Sequence, residues 1–201
     1  MRPTEILMQE HRVIEQVLDC LERMAQRVEA GDELDLESAK QAIDFFRNFA
    51  DRCHHGKEED CLFPLLEQKG FSREQGPTGV MLHEHEEGRR HIRGMEQATI
   101  AMAVGDSAAT ADFVYHAHAF TQLLREHILK EDRCLFQMTD QALSEQDQLR
   151  LLESFAHVEH DDMGPGTHEK YLEIAVALAN RYGVQSRVSG TSTVSPFCGH
   201  H

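Results

Sequence analysis

The sequence predicts an all-α fold, an up-down-up-down four-helix bundle with two additional C-terminal helices and a flexible tail. Three observations carry this expectation. Apolar residues recur at three- and four-residue spacing through most of the chain, with Gly or Pro breaks between the runs. Helix formers are common, whereas Trp is absent, Tyr numbers 3 and Pro 5. A frame of ten residues occurs twice, in CHHGKEEDCLF at 53–63 and EHILKEDRCLF at 126–136. Both copies read His-x-x-Lys-Glu-[Glu/Asp]-x-Cys-Leu-Phe, so the architecture contains an internal repeat.

Taken in order, Thr4 reads as the N-cap of a first helix over residues 4–30. Leu7, Ile14, Val17, Leu18, Leu21 and Met24 share its face, and Gly31 stops it. Asp35 caps a second run that ends at Gly70, with Ala39, Ile43, Phe46, Phe49, Ala50, Leu62, Leu65 and Leu66 on one side. Pro64 removes a backbone donor and is expected to bend or interrupt its last turns. After the turn FSREQGPTG comes a third helix over about 77–104; behind the GDS break, with Ser107 as cap, a fourth spans about 108–140. Ser144 with Asp147 opens a fifth helix to about 160. The loop MGPGT precedes a sixth, over about 168–182, that Gly183 stops. The remainder, VQSRVSGTSTVSPFCGHH, is aperiodic and rich in Ser, Thr and Gly. The expected organisation is a bundle over 1–140, a helical pair packed on it over 141–183, and a flexible tail over 184–201.

Lys plus Arg number 20 against 35 Asp plus Glu, and the formal charge of −15 repels phosphate backbones and anionic lipids. Nucleic-acid and membrane partners are therefore not expected. No apolar run approaches the roughly 18 residues a membrane helix needs. Five scattered cysteines and the start MRPTEILMQEH, which lacks an apolar signal run, point to a reducing cytoplasm.

Fourteen histidines need a reason. The repeat places His54 over His127 and Glu58 over Glu131, each a histidine with a carboxylate four residues on, and hence on one helical face. Phe46, Ala50, His54, Glu58 and Leu62 continue an apolar stripe, as do Phe120, Leu124, His127, Glu131 and Leu135. The competing stripe Arg47, Asp51, His55, Glu59 reads as mostly solvent-facing. His11 and His85 precede these pairs on the apolar faces of the first and third helices. Each of the four helices thus supplies an inward histidine. Buried carboxylates beside buried imidazoles ask for cations. Nitrogen and oxygen donors suit iron or manganese and tolerate zinc, and two facing glutamates make a dinuclear site the natural arrangement. A ferritin-like site would need Glu-x-x-His pairs, and none of the 14 histidines has a Glu three residues before it.

The set His11, His54-x-x-x-Glu58, His85 and His127-x-x-x-Glu131, with LFP after the first pair and LF after the second, resembles the hemerythrin-like, or HHE cation-binding, family over about residues 1–140. The resemblance implies a bundle around two iron ions (Fe2+/Fe3+), bridged by carboxylates and an oxo or hydroxo group. His11, His54, His85 and His127 would be terminal ligands, and Glu58 and Glu131 the bridges. It further implies a small diatomic or peroxide ligand, and a protein that binds or reacts with O2, NO or peroxide in sensing or in oxidative or nitrosative stress. A di-iron redox enzyme, peroxide-removing or oxidase, and iron storage or donation are the alternatives.

Two departures stand out. The oxygen-carrying members have a second histidine one turn after the third-helix ligand, where this chain has Arg89. They also use an aspartate where Asp132 stands beside Glu131, and the repeat favours Glu131. An additional ligand is therefore expected. His55 is the first candidate, by resemblance to the hemerythrin-like iron sensor of a ubiquitin ligase, and Glu159, His168 and Glu169 in VEHDDMGPGTHEKY are others, as ligand or lid. Cys61 and Cys134 are expected to pack, not to react.

Overall fold

A computed structural model describes residues 1–187 except Gln75, Met163 and Pro165, and leaves aside the side chains of Asp161 and Asp162. The expected tail from 188 onward, with Cys198, His200 and His201, lies outside the described residues. Among the described residues every regular element is helical, and no helix is long and apolar enough to cross a membrane.

Helix α1 is Pro3–Glu29. Its start differs from expectation: the Glu5 carboxylate accepts from the Arg2 backbone N–H at 2.8 Å, while Thr4 is buried and donates its hydroxyl to Asp140 at 2.8 Å. Gly31 follows at φ +100°, the left-handed conformation that closes a helix most easily without a Cβ. Asp35 caps α2, Leu36–Phe45, by accepting from the Ser38 N–H. The run then widens into π-helical segments, Phe46–His55 and Lys57–Leu62, before α3, Phe63–Gln68. Pro64 falls in the first turn of α3, where a missing donor is tolerated.

Helix α4 is Pro77–Ala103 and α5 is Ala109–Lys130. Asp106 accepts from the Ala108 N–H at 3.0 Å and so caps the turn that Ser107 was expected to cap. Helix α5 also widens, into the π-helical segment Glu131–Leu135, and continues as α6, Phe136–Ala142. Ser144 and Asp147 form the reciprocal capping box of α7, Glu145–His157. A last π-helical segment, Val158–Asp162, leads to α8, Thr167–Tyr182. Beyond α8, Arg187 lies against α1, donating to Glu15 and Asp19 at 2.8 Å each.

Helix α4 lies along α5, α1 packs on α5 and α8, and α2 packs on α4 and α8. Two apolar clusters result. One gathers Leu18, Leu21, Phe45, Phe46, Phe113, Phe120 and Leu178. The other gathers Leu7, Leu62, Phe63, Leu135, Phe136, Leu151 and Phe155. Each such side chain contributes about 2 kcal/mol when taken out of water. Between the clusters, each of the four long helical runs changes from apolar to polar. His11 lies between Leu7 and Ile14, His54 and Glu58 between Ala50 and Leu62, His85 between Met81 and Ile92, and Glu131 between Ile128 and Leu135. The fold therefore encloses a polar layer between two oily ones.

Candidate metal centre

That layer contains five imidazoles and two carboxylates. His11, His54, His55, His85 and His127 are all buried, and Glu58 and Glu131 are 0% exposed. The π-helical turns help assemble it. A wider turn narrows the angle between neighbouring side chains, so His54 and His55 both face inward with Glu58. This corrects the solvent-facing placement of His55, which assumed an unbroken α-helical period.

The donor atoms converge in two groups that share Glu58. His55, Glu58, His85 and His127 form one, and His11, His54, Glu58 and Glu131 the other, with ligand atoms in each group within 4.8 Å of one another. Glu131 Oε2 stands 3.2 Å from both His11 Nε2 and His127 Nε2. Glu58 reaches His54 Nε2 at 3.6 Å with one oxygen and His85 Nε2 at 3.5 Å with the other. Both carboxylates thus span the two groups.

Each imidazole is tied from behind by a carboxylate. The Nδ1 atoms of His11, His54, His55, His85 and His127 lie 2.7, 2.9, 3.2, 2.6 and 2.9 Å from Asp132, Glu10, Asp51, Glu59 and Glu84. A carboxylate only accepts, so Nδ1 carries the proton, and in the neutral ring Nε2 is left with a bare lone pair. Those lone pairs then face one another: His11 Nε2 is 3.0 Å from His54 Nε2, and His85 Nε2 is 3.1 Å from His127 Nε2. The rear carboxylates are themselves held by cations. Arg12 pairs with Asp132, Lys57 with Glu10, Lys130 with Glu84, and Arg89 with both Asp51 and Glu59.

The electrostatics of the side chains by themselves are unbalanced. Among the described residues, nothing donates a hydrogen bond to either oxygen of Glu58 or of Glu131. Burial and the adjacent Glu131 push the Glu58 carboxyl well above its ordinary range. Burial acts on Glu131 in the same sense, but the His127 and His11 imidazoles outweigh it and hold that carboxyl low. Burial lowers His54 to about 4, and His127 is raised to about 9 because Glu131 and Glu84 outweigh its own burial. A buried carboxylate pair without donors costs several kcal/mol unless a cation sits between the oxygens. Inward Nε2 lone pairs with carboxylate-bound Nδ1 are the arrangement in which imidazoles receive a metal. The residues present fit metal cations.

The remaining candidates stand apart from both groups. Glu159 pairs with Lys57. His168 lies 5.3 Å from the Phe49 ring and falls in a separate grouping with Glu10 and Cys53, where Lys57 already pairs with Glu10. Glu169 is exposed in the first turn of α8, at the positive end of the helix dipole. Of the repeat cysteines, Cys61 is partly buried but Cys134 is exposed, so the packing expectation fails for Cys134. His91 is half-buried and shares a 3.0 Å Nδ1 contact with His116. The rear carboxylates escaped sequence reasoning altogether. Their signal was in the repeat: Glu10 matches Glu84, Glu59 matches Asp132, and Lys57 matches Lys130.

An all-helical domain with paired histidine and carboxylate clusters of this kind is a cation-binding domain. The chain belongs to the hemerythrin HHE cation-binding domain family, whose model matches residues 2–139. It is also similar to the uncharacterized proteins Mb2018 of Mycobacterium bovis and Rv1995 of Mycobacterium tuberculosis. Each is 24% identical over 180 residues, covering 90% of this chain and 70% of the relative. No solved structure matches the chain.

Proposed function

We propose that the chain is a non-haem di-iron protein of the cytoplasm, built on an up-down-up-down bundle, that binds or reacts with O2 or a related small molecule such as NO or peroxide. One observation carries this reading. Five imidazoles with carboxylate-bound Nδ1 atoms surround two glutamates whose four oxygens accept no hydrogen bond from the described residues. His55, His85 and His127 would hold one ion, His11 and His54 the other, with Glu58 and Glu131 spanning both. Iron in such a pair supplies one-electron redox chemistry toward O2 and its relatives.

The side chains divide the remaining work. Three imidazoles would serve one ion and two the other, so the His11/His54 side offers fewer protein donors and more room for a small ligand. The rear carboxylates fix ring orientation and, in the neutral imidazole, place the proton on Nδ1 so that Nε2 is the atom turned to the ions. Phe136, stacked 5.5 Å from the His11 ring, and Phe63, 6.0 Å from His85, exclude water from that layer. The departure at Arg89 leaves the imidazole number intact, because His55 enters the cluster from the second helical run. The centre would thereby keep five imidazoles without a further ligand from the α7–α8 connection.

The test is iron and zinc quantification on the purified chain, followed by mixing of the chemically reduced protein with O2 under an optical probe. A reversible spectral change identifies a binding or sensing protein. Rapid irreversible oxidation excludes reversible carriage, and catalytic O2 release from added peroxide identifies an enzyme. A folded chain that takes up no iron defeats the reading.

A further inference from the structure

The two halves of the cluster are related by the internal repeat, and three residues break that relation. His54 matches His127 and His11 matches His85, each with an equivalent rear carboxylate. By the same register, Asp51, His55 and Arg89 stand where the other half has Leu124, Ile128 and Glu15. Ile128 is buried in the apolar core, and Glu15 pairs with Arg12 and Arg187 on the outside. Asp51 joins the other two. Arg89 Nε donates to Asp51 Oδ1 at 2.9 Å, and His55 Nδ1 reaches the same oxygen at 3.2 Å. Arg89 Nη2 donates to Glu59 Oε1 at 2.7 Å, the oxygen that His85 Nδ1 meets at 2.6 Å. The His55 and His85 rings in turn stack at 3.7 Å, 12° from parallel.

We infer that Arg89 is a positioning residue: its guanidinium holds Asp51 and Glu59 so that His55 and His85 both present Nε2 to one ion, which makes that half of the centre three-histidine and the other half two-histidine. This rests on the di-iron reading above. A guanidinium suits the task because its planar fork donates to two carboxylates at once, which an ammonium on a flexible stem does less well. The carboxylates it holds are the groups that orient the two rings. Arg89 therefore acts on the metal through Asp51–His55 and Glu59–His85 and contacts neither ion itself.

The experiment compares the full chain with its Arg89→Ala, Arg89→Lys, Asp51→Asn and Arg90→Ala variants, loaded anaerobically with 57Fe2+ and then oxidised. Bound iron per chain and Mössbauer spectra are read, with circular dichroism as the check of fold. Arg89→Ala should lose about tenfold or more in affinity at one of the two irons, a typical effect of removing an outer support. Its iron content should then fall to about half that of the parent, with the spectrum of a single uncoupled iron in place of the parent's coupled pair. Arg89→Lys should restore part of the loss. Arg90→Ala, whose side chain is 62% exposed, should match the parent. If Arg89→Ala does not fold, Asp51→Asn, which keeps the side-chain shape, should give the same half-loaded product. An Arg89→Ala protein with parental iron content and unshifted doublets overturns the assignment of Arg89 while the di-iron reading stands, and so does equal loss of both irons from a folded chain. A parent chain that takes up no iron overturns both.

Discussion

Lys57 and Lys130 occupy matching places in the internal repeat and pair with the matching carboxylates Glu10 and Glu84, yet Lys57 is 0% exposed and Lys130 is 42% exposed. The difference comes from the C-terminal part of the chain. Glu159 pairs with Lys57, whose ammonium also lies 5.8 Å from the Phe155 ring of α7. The same chemical pair is thus a buried support in one half and a surface contact in the other. Lys57→Met should destabilise the protein by about 3 kcal/mol or more, because it leaves Glu10 buried without its cation. Lys130→Met should cost under about 1 kcal/mol. Urea denaturation of the two variants checks the contrast, and equal losses would remove the argument for asymmetric burial.

The pH dependence follows from the same pair. Burial raises the Glu10 carboxyl, but His54 and Lys57 outweigh it and hold the group at about 2, against an ordinary value of 4.5. A group whose folded value is depressed stabilises the fold above its unfolded value, and loses that contribution as pH falls through the folded one. Glu10 therefore contributes fully above about pH 4.5, and its share declines between there and pH 2 at up to about 1.4 kcal/mol per unit. Stability of the metal-free chain should fall more steeply over this window than that of Glu10→Gln, measured by denaturant titration at several pH values. Parallel curves for the two proteins would contradict it.

Glu58 predicts a trade of stability against function. In the metal-free chain its carboxyl is buried, lacks a donor and faces Glu131. Glu58→Leu should raise the stability of the metal-free protein by about 1–3 kcal/mol while abolishing binding of at least one ion. The reading is the melting temperature after chelation together with metal content. A lower melting temperature in the chelated variant would show that the carboxylate is satisfied without a cation.

Metal loading should itself stabilise the fold, since the converged ligands exist only in the folded chain. At free metal a thousandfold above Kd the gain is about 4 kcal/mol, visible as a rise in melting temperature that chelation reverses. Identical melting of loaded and stripped protein would mean that the cluster binds no cation.

Much of this was legible in the sequence because a repeat leaves a double imprint. The frame around Lys57 and Lys130 pointed to four helical runs and to His54, Glu58, His127 and Glu131, which the fold brings together with His11 and His85. Two kinds of information were not legible. Periodicity assumes a constant turn, and π-helical widening at Phe46–His55 moved His55 to the interior. Pairings between helices distant in sequence, such as Asp132 with His11 over 121 residues, leave no local pattern. Capping was legible where the chemistry is local, at Asp35 and at Ser144 with Asp147, and was misread at Thr4, whose hydroxyl serves Asp140 instead.

The π-helical segments around His54–Glu58 and at Glu131 also bear on how an enclosed centre is filled. Widened turns have poorer peptide hydrogen bonding than the α-helix that flanks them. These π-helical stretches should then breathe open while α1 and α4, which carry His11 and His85 on regular turns, stay closed, and their amides should exchange with deuterium sooner in the stripped chain. Incoming ions would enter by local fraying of two turns, with no need for the whole domain to come apart.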